Sequence, residues 1–292
     1  MTPSASADSA SADPAGATDA RRTARPAAGA AASAGPVVVA SVPVRSVLFV
    51  HAHPDDETLS SGGLILWLVA RGVRVELLTA TRGERGEVVP ALREAVGDDP
   101  DALTGIRLRE LENAVRTLGV GEARYLGEPP ARAPGLPSRR YTDSGMRWVT
   151  PTFAGPVDDV PPSALTRAPD SEVVADVLAF IRHSVPDLVV SYDDRGGYGH
   201  PDHRRIRAAA LTASRAAGVP FAELVPADTT DDGVGAAAAP GLTVVDAADR
   251  FGAIQDALRA HATQLTVDGD HVVHSGGQRE PIVTAYAVRL VH

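Results

Sequence analysis

His53, Asp55 and Asp56 fall within four positions of one another, directly after the apolar run Val47-Leu48-Phe49-Val50. A second group, Tyr198, His200, Asp202 and His203, follows the run Leu188-Val189-Val190. Histidine and carboxylate are ligand types of a catalytic zinc ion, which takes three protein ligands and keeps a fourth place open. His53 and Asp56 are three residues apart, so a turn leaving a strand can aim both at one point. His203, in the first turn of a following helix, completes a His-Asp-His set. Asp55 sits beside a ligand but faces another way, so it is free to take a proton from a water that a metal has acidified. His200 can carry a proton to a leaving amine or stabilise an oxyanion, and Tyr198 can donate a hydrogen bond to the same oxygen. Taken alone, Asp55-Asp56 reads as a solvated loop or helix cap, and Gly196-Gly197-Tyr198-Gly199 as a flexible turn. Together, after two apolar strands, they read as one site.

Two groups so far apart in sequence can meet only if the fold brings two strand ends together. From Val44 onward, strand and helix patterns alternate. Residues 46–52, 73–81, 123–126 and 188–192 read as strands. Residues 62–71, 103–118, 171–182 and 201–217 read as helices, the third capped by Ser171 and the fourth opened by Pro201. This alternation predicts an α/β fold with a mostly parallel sheet flanked by helices on both faces. Ligands then lie in the crevice at the carboxyl ends of the strands. Residues 83–87 follow the second strand at that same edge, which makes Glu87 a candidate for the site. Residues 127–170 form a loop too long for a simple connection and are read as part of the site. After residue 218 the pattern is less regular: 228–241 is a loose stretch, 250–261 is helical, and 266–273 is expected to pair with 282–290.

The 292-residue chain carries a formal net charge of −9, which argues against a nucleic-acid face or a polybasic membrane patch. It has no Cys and no Lys, which excludes thiol nucleophiles, Cys-based zinc sites, Schiff bases and a P-loop lysine. No G-x-G-x-x-G follows the first strand, and G-x-S-x-G and H-E-x-x-H are absent. Residues 1–44 are rich in Ala, Ser, Gly and Pro, and are expected to be a disordered extension before a single domain over 45–292. Arg21-Arg22 is not followed by a Leu-rich apolar segment, so the expected location is cytoplasmic, without a membrane partner.

Ala52-His53-Pro54-Asp55-Asp56-Glu57 and His200-Pro201-Asp202-His203, in this order, resemble the motifs of the LmbE-like (PIG-L) zinc-dependent deacetylases. The resemblance covers about residues 45–218 and, less securely, Ala260-His261-Ala262-Thr263-Gln264. It implies a Rossmann-like sheet with long active-site loops and one divalent ion per chain, Zn2+ or Fe2+. It also implies hydrolysis of an N-acyl group on a small N-acetylglucosamine-containing conjugate. It puts the metal on His53, Asp56 and His203, the base on Asp55 and the acid or charge-stabilising role on His200. Residues 79–88 and Asp143-Ser144-Gly145-Met146 are similar to the group of this family acting on N-acetylglucosaminyl-inositol in mycothiol biosynthesis. By that likeness Arg107 and Asp143 hold the inositol and Tyr198 polarises the carbonyl. The alternatives left open are a mycothiol S-conjugate amidase, a deacetylase of another N-acetylglucosaminide, and a sugar- or metal-binding module without activity.

Overall fold

The structure is a computed structural model that describes residues 36–97, 99–226 and 240–292. Its centre is the strand that the apolar run predicts, β3 (Ser46–His51), buried along its whole length. Parallel to it on one side run β4 (Arg74–Thr79) and β5 (Glu122–Tyr125), and on the other β8 (Leu188–Ser191) and β9 (Phe221–Val225). Two antiparallel strands extend the β9 edge, β14 (Ala285–Val291) and then β10 (Leu242–Asp246). The resulting order is β10-β14-β9-β8-β3-β4-β5. The chain leaves β3 toward β4 and later returns to β3's other side as β8. The order therefore reverses between β3 and β8, and the crevice outside their carboxyl ends is the place such a sheet offers a ligand.

The period-2 alternation of the strands feeds two cores. Val47, Phe49, Val75, Leu77 and Val190 face one side, packed by α2 (Gly62–Val69), α4 (Pro100–Leu118) and α7 (Phe251–Ala260). Leu48, Val50, Leu78 and Val189 face the other, packed by α5 (Asp170–Ser184) and α6 (Pro201–Ala217). The helix ends are encoded locally. α4 begins with Asp99 accepting from the Asp101 amide and with Pro100 in its first turn, and it ends at left-handed Gly119. α6 ends in the same way at Gly218. α2 lies so close to β14 that a Cβ at Gly63 would come within 2.5 Å of the Tyr286 ring. Only glycine allows that approach.

Several expectations need correction. Residues 36–44 are not part of an irregular extension. Val37–Val39 (β1) and Val42–Val44 (β2) pair antiparallel about Ala40 and Ser41, both at positive φ, and Val39 and Val44 enter the core. Alternating valines bury enough surface for a short hairpin despite the small residues before them. Residues 1–35 lie outside the described residues, as do 227–239, which take in most of the loose stretch expected at 228–241. Ser171 does not cap α5; the helix starts at Asp170 with Pro169 at the cap position. Residues 266–273 do not pair with 282–290 either. β11 (Leu265–Asp268) and β12 (His271–His274) turn back on each other about Gly269, and β13 (Arg279–Pro281) joins them, while β14 enters the main sheet.

Between β5 and α5, the long segment carries a hairpin, β6 (Arg147–Thr150) with β7 (Phe153–Gly155). It is tied down before the hairpin by a buried network. Arg132 donates to Asp176 and Glu172 at 2.8 Å, and the Tyr141 hydroxyl donates to Asp176 at 2.7 Å. Asp143 and Ser144 follow directly and so arrive at the sheet edge in a fixed place. The short helices α1 (Asp56–Leu59) and α3 (Arg93–Val96) complete the fold. No helix among the described residues is long and apolar enough to cross a membrane.

Candidate active site

β3 ends at His51 and β8 at Ser191, and the turns after them bring both motifs to the reversal point of the sheet. His53 Nδ1 lies 3.3 Å from Asp56 Oδ2 and 3.3 Å from His203 Nε2, and His203 Nε2 lies 3.3 Å from Asp56 Oδ1. In a tetrahedron with bonds of about 2.0–2.1 Å, ligand atoms are about 3.3–3.4 Å apart. The two imidazole nitrogens and the Asp56 carboxylate, which turns Oδ2 toward His53 and Oδ1 toward His203, are buried at that spacing and can hold a divalent ion.

The surrounding bonds fix which atoms face the centre. His203 Nδ1 lies 3.2 Å from the Gly196 carbonyl, so a proton there donates to that oxygen and leaves Nε2 bare. His53 Nε2 lies 3.2 Å from Asp202 Oδ2, which orients its ring in the same way and leaves Nδ1 bare. Asp202 is itself held by the Ser144 amide at 2.9 Å and by the Ser144 hydroxyl. Asp56 Oδ2 accepts from the His53 amide at 2.8 Å and from the Tyr192 hydroxyl at 2.7 Å. The Tyr192 oxygen in turn accepts from the Ala52 amide at 2.7 Å, and its ring stacks on His203 with centroids 4.1 Å apart. A second set of oxygens, from Asp143 and Asp202, lies on the Nε2 side of His53. Asp143 and Asp202 accept from the Gly145 and Ser144 amides, and Asp202 orients His53 through its Nε2.

The charges agree with this arrangement. Burial works against His53 being protonated, but Asp143, Asp202 and Asp56 outweigh it and lift its pKa well above the ordinary value. Burial likewise opposes ionisation of Asp56, and His203 and His53 outweigh it, holding the carboxyl well below the usual range. Three acidic side chains around two imidazoles attract positive charge, and a cation is the group that satisfies them.

The family profile described as GlcNAc-PI de-N-acetylase, PIG-L, matches residues 48–214, which include both motifs. The chain belongs to the PIG-L family. A PIG-L relative from Kineococcus radiotolerans is 39% identical over 85% of this chain and 78% of its own length. One from Geodermatophilus obscurus is 36% identical over 85% of this chain and 92% of its own length. Both are named 1D-myo-inositol 2-acetamido-2-deoxy-alpha-D-glucopyranoside deacetylase. Among solved structures, the zinc-inhibited form of a teicoplanin deacetylase superposes with a TM-score of 0.52 at 21% identity, over 84% of this chain and 98% of that one. The 4-carboxy-2-hydroxymuconate hydratase of Pseudomonas putida superposes with a TM-score of 0.55 at 17% identity, over 85% and 96%. A deacetylase and a hydratase on one scaffold mean that the PIG-L fold does not by itself choose the reaction. The side chains do.

The structure places the remaining candidates around this centre in different ways. Asp55 is partly buried at φ 109°, and its carboxylate makes no cap bond to α1. His200 occupies the N-cap of α6; its Nδ1 accepts from the Asp202 amide at 3.1 Å, which leaves the proton on Nε2. Its ring lies 4.6 Å from that of His53 and 4.9 Å from that of His203. The Tyr198 ring meets that of His203 edge-on, with centroids 5.2 Å apart, and the residue is 40% exposed, at the mouth of the site. Asp143 Oδ1 is 3.8 Å from His53 Nε2. Arg107 is 1% exposed and donates to the carbonyls of Gly83, Gly86 and Glu87, so it braces the turn after β4. A Cβ at Gly86 would fall 2.5 Å from its guanidinium. Glu87 is not brought to the cluster: its side chain is 67% exposed and its nearest cation is Arg93, 3.9 Å away. Tyr192 and the orienting roles of Ser144 and Asp202 were not legible in the sequence. Tyr192 had one usable signal, a polar residue closing an apolar strand at the same edge as the ligands.

Proposed function

We propose that the chain is a metal-dependent N-deacetylase that hydrolyses the acetamide of N-acetylglucosaminyl-inositol, the compound for which its relatives are named. The observation that carries this reading is the set His53, Asp56 and His203, in which each pair of side chains approaches to 3.3 Å, next in the chain to Asp55, whose carboxylate makes no cap bond. His53, Asp56 and His203 are the ligands. Zinc is the assigned ion, one per chain, and ferrous iron is the alternative the same donors serve. When bound, the ion would polarise the acetyl carbonyl and acidify a water.

The chain's own groups complete the reaction. Asp55 takes a proton from the attacking water. Burial and the neighbouring Asp56 push its carboxyl up to about 7, which suits a group that gains and returns a proton near neutral pH. Protonated Asp55 then passes that proton to the departing nitrogen, so that amide and water become acetate and amine. Burial, followed by repulsion from His53 and His203, pushes His200 down to about 2. Its ring is therefore neutral at working pH, and its Nε2–H serves as a hydrogen-bond donor to the developing oxyanion. Partial burial and the carboxylates of Asp56 and Asp55 hold the Tyr198 phenol well above its ordinary value, so it remains a donor to the same oxygen. Asp143 accepts from sugar or inositol hydroxyls, and Arg107 shapes that wall by holding residues 83–87 in place.

The test is amine release by metal-loaded protein from N-acetylglucosaminyl-inositol, a mycothiol S-conjugate and free N-acetylglucosamine. A strong preference for the first supports the proposal. Preference for the conjugate would replace it with the amidase reading, and release from none would remove it.

A further inference from the structure

Glu57 and His261 form an ion pair sealed inside the protein. Both side chains are 0% exposed, and His261 Nε2 lies 2.7 Å from Glu57 Oε1. Glu57 belongs to the one-turn helix α1 directly after Asp55, whereas His261 closes α7, beyond the segment that the family profile matches. A buried pair of this kind gives little net stability, because desolvating two charges offsets their attraction. Its presence needs another reason.

The other end of the Glu57 carboxylate supplies one. Its Oε2 accepts the backbone N–H of Asp55 at 3.0 Å. Asp55 has φ 109° and ψ −32°, a conformation that residues with a Cβ rarely adopt and that persists only where surrounding bonds impose it. An Asp at a helix N-cap ordinarily bends its carboxylate back onto the helix amides. That of Asp55 makes no such bond. The remaining contacts leave the couple little freedom: Thr58 Oγ1 donates to Glu57 Oε1, and Gln264 Nε2 lies 3.3 Å from His261 Nδ1.

We propose that Glu57 and His261 are positioning residues for Asp55: the couple locks the left-handed Asp55 backbone and thereby keeps its carboxylate off the helix cap and available to the site. The inference rests on the general-base role proposed above for Asp55. It makes α7 part of the catalytic unit rather than a peripheral support.

The experiment compares kcat, KM, metal content and melting temperature in wild type, His261→Ala, His261→Gln and His261→Asn, with Leu258→Ala as control. Leu258 is a buried apolar residue of the same helix, packed in a cluster with Ile254, Leu265 and Val272. His261→Ala lowers kcat on the order of 100-fold, the cost of a catalytic group displaced by about 1 Å, while KM and metal content stay at the wild-type value. His261→Gln, whose amide nitrogen reaches the Nε2 position, recovers most of kcat; His261→Asn, whose nitrogen falls near Nδ1, does not. Leu258→Ala melts earlier but turns over normally. If His261→Ala does not fold, the Gln and Asn variants decide the matter, and equal kcat in both overturns the proposal. It is also overturned if His261→Ala keeps full kcat, or if Leu258→Ala loses kcat in step with it. An inactive wild type would remove the deacetylase reading and this inference with it, whereas an active wild type beside an unaffected His261→Ala removes the inference alone.

Discussion

Replacing Tyr192 by Phe deletes one oxygen that serves two partners. The hydroxyl donates to Asp56 Oδ2 at 2.7 Å and accepts from the Ala52 amide at 2.7 Å, in the interior between β3 and β8. The first bond is made to a charged group, and its loss is worth about 1.5–3 kcal/mol. If that energy orients Asp56 for the metal, affinity for the ion falls roughly ten- to a hundredfold, the range shown by partners that steer a ligand. The second loss strands a buried amide, which costs the fold about 1–3 kcal/mol and lowers the melting temperature by several degrees. The Phe ring keeps the stack on His203, so packing is unchanged and the two effects separate. A chelator competition titration reads the metal affinity, and calorimetry of the metal-free protein reads the fold. A folded Tyr192→Phe protein with wild-type metal affinity would refute the claim that Tyr192 orients Asp56.

Asp55→Asn abolishes turnover while metal content is retained, as acetate release and elemental analysis of one sample would show. Its effect on stability has the opposite sign. The Asp55 carboxyl is raised to about 7, so the folded chain binds that proton more tightly than the unfolded one. The penalty for ionising it is absent below about pH 4 and grows as pH rises toward 7. Metal-free Asp55→Asn therefore melts above the wild type at about pH 8, and the two converge near about pH 4; equal melting temperatures throughout would contradict the burial of that charge. Asp143→Ala raises KM more than it lowers kcat, by the value of a charged hydrogen bond, about 1.5–3 kcal/mol. Arg107→Ala melts earlier, because three carbonyls of the 83–87 turn lose their donor, and it raises KM through the loosened wall. Phe49→Ala, at 0% exposure in the central strand, costs about 3–5 kcal/mol of stability in denaturant titration without altering KM in the folded fraction.

The sequence was most legible where a local rule and the fold agree. The apolar runs before His53 and after Pro186 form the two strands flanking the reversal point, so motifs at strand ends had to meet. Gly119 and Gly218 stop α4 and α6 where glycine at a helix end predicts. What was hidden depends on partners far away in the chain. Nothing near Tyr192 indicates Asp56, nothing near Ser144 indicates Asp202, and His261 lies 204 residues from Glu57. Strand pairing failed at the C-terminus for a local reason. The run 266–273 is not one strand: the turn at Gly269 breaks it into β11 and β12, which pair with each other. Glu87 shows the limit of placing a residue by its position after a strand: the sequence sets which edge the turn occupies, not which way its side chain points.

The central claim is that one divalent ion on His53, Asp56 and His203 makes this PIG-L chain a deacetylase. Its most direct test is acetate release from N-acetylglucosaminyl-inositol by metal-stripped protein as Zn2+ is added back, with His203→Ala alongside. The account predicts no release from the stripped protein, recovery that levels off at one ion per chain, and no recovery in His203→Ala. Full activity after stripping, or equal recovery in His203→Ala, would contradict it.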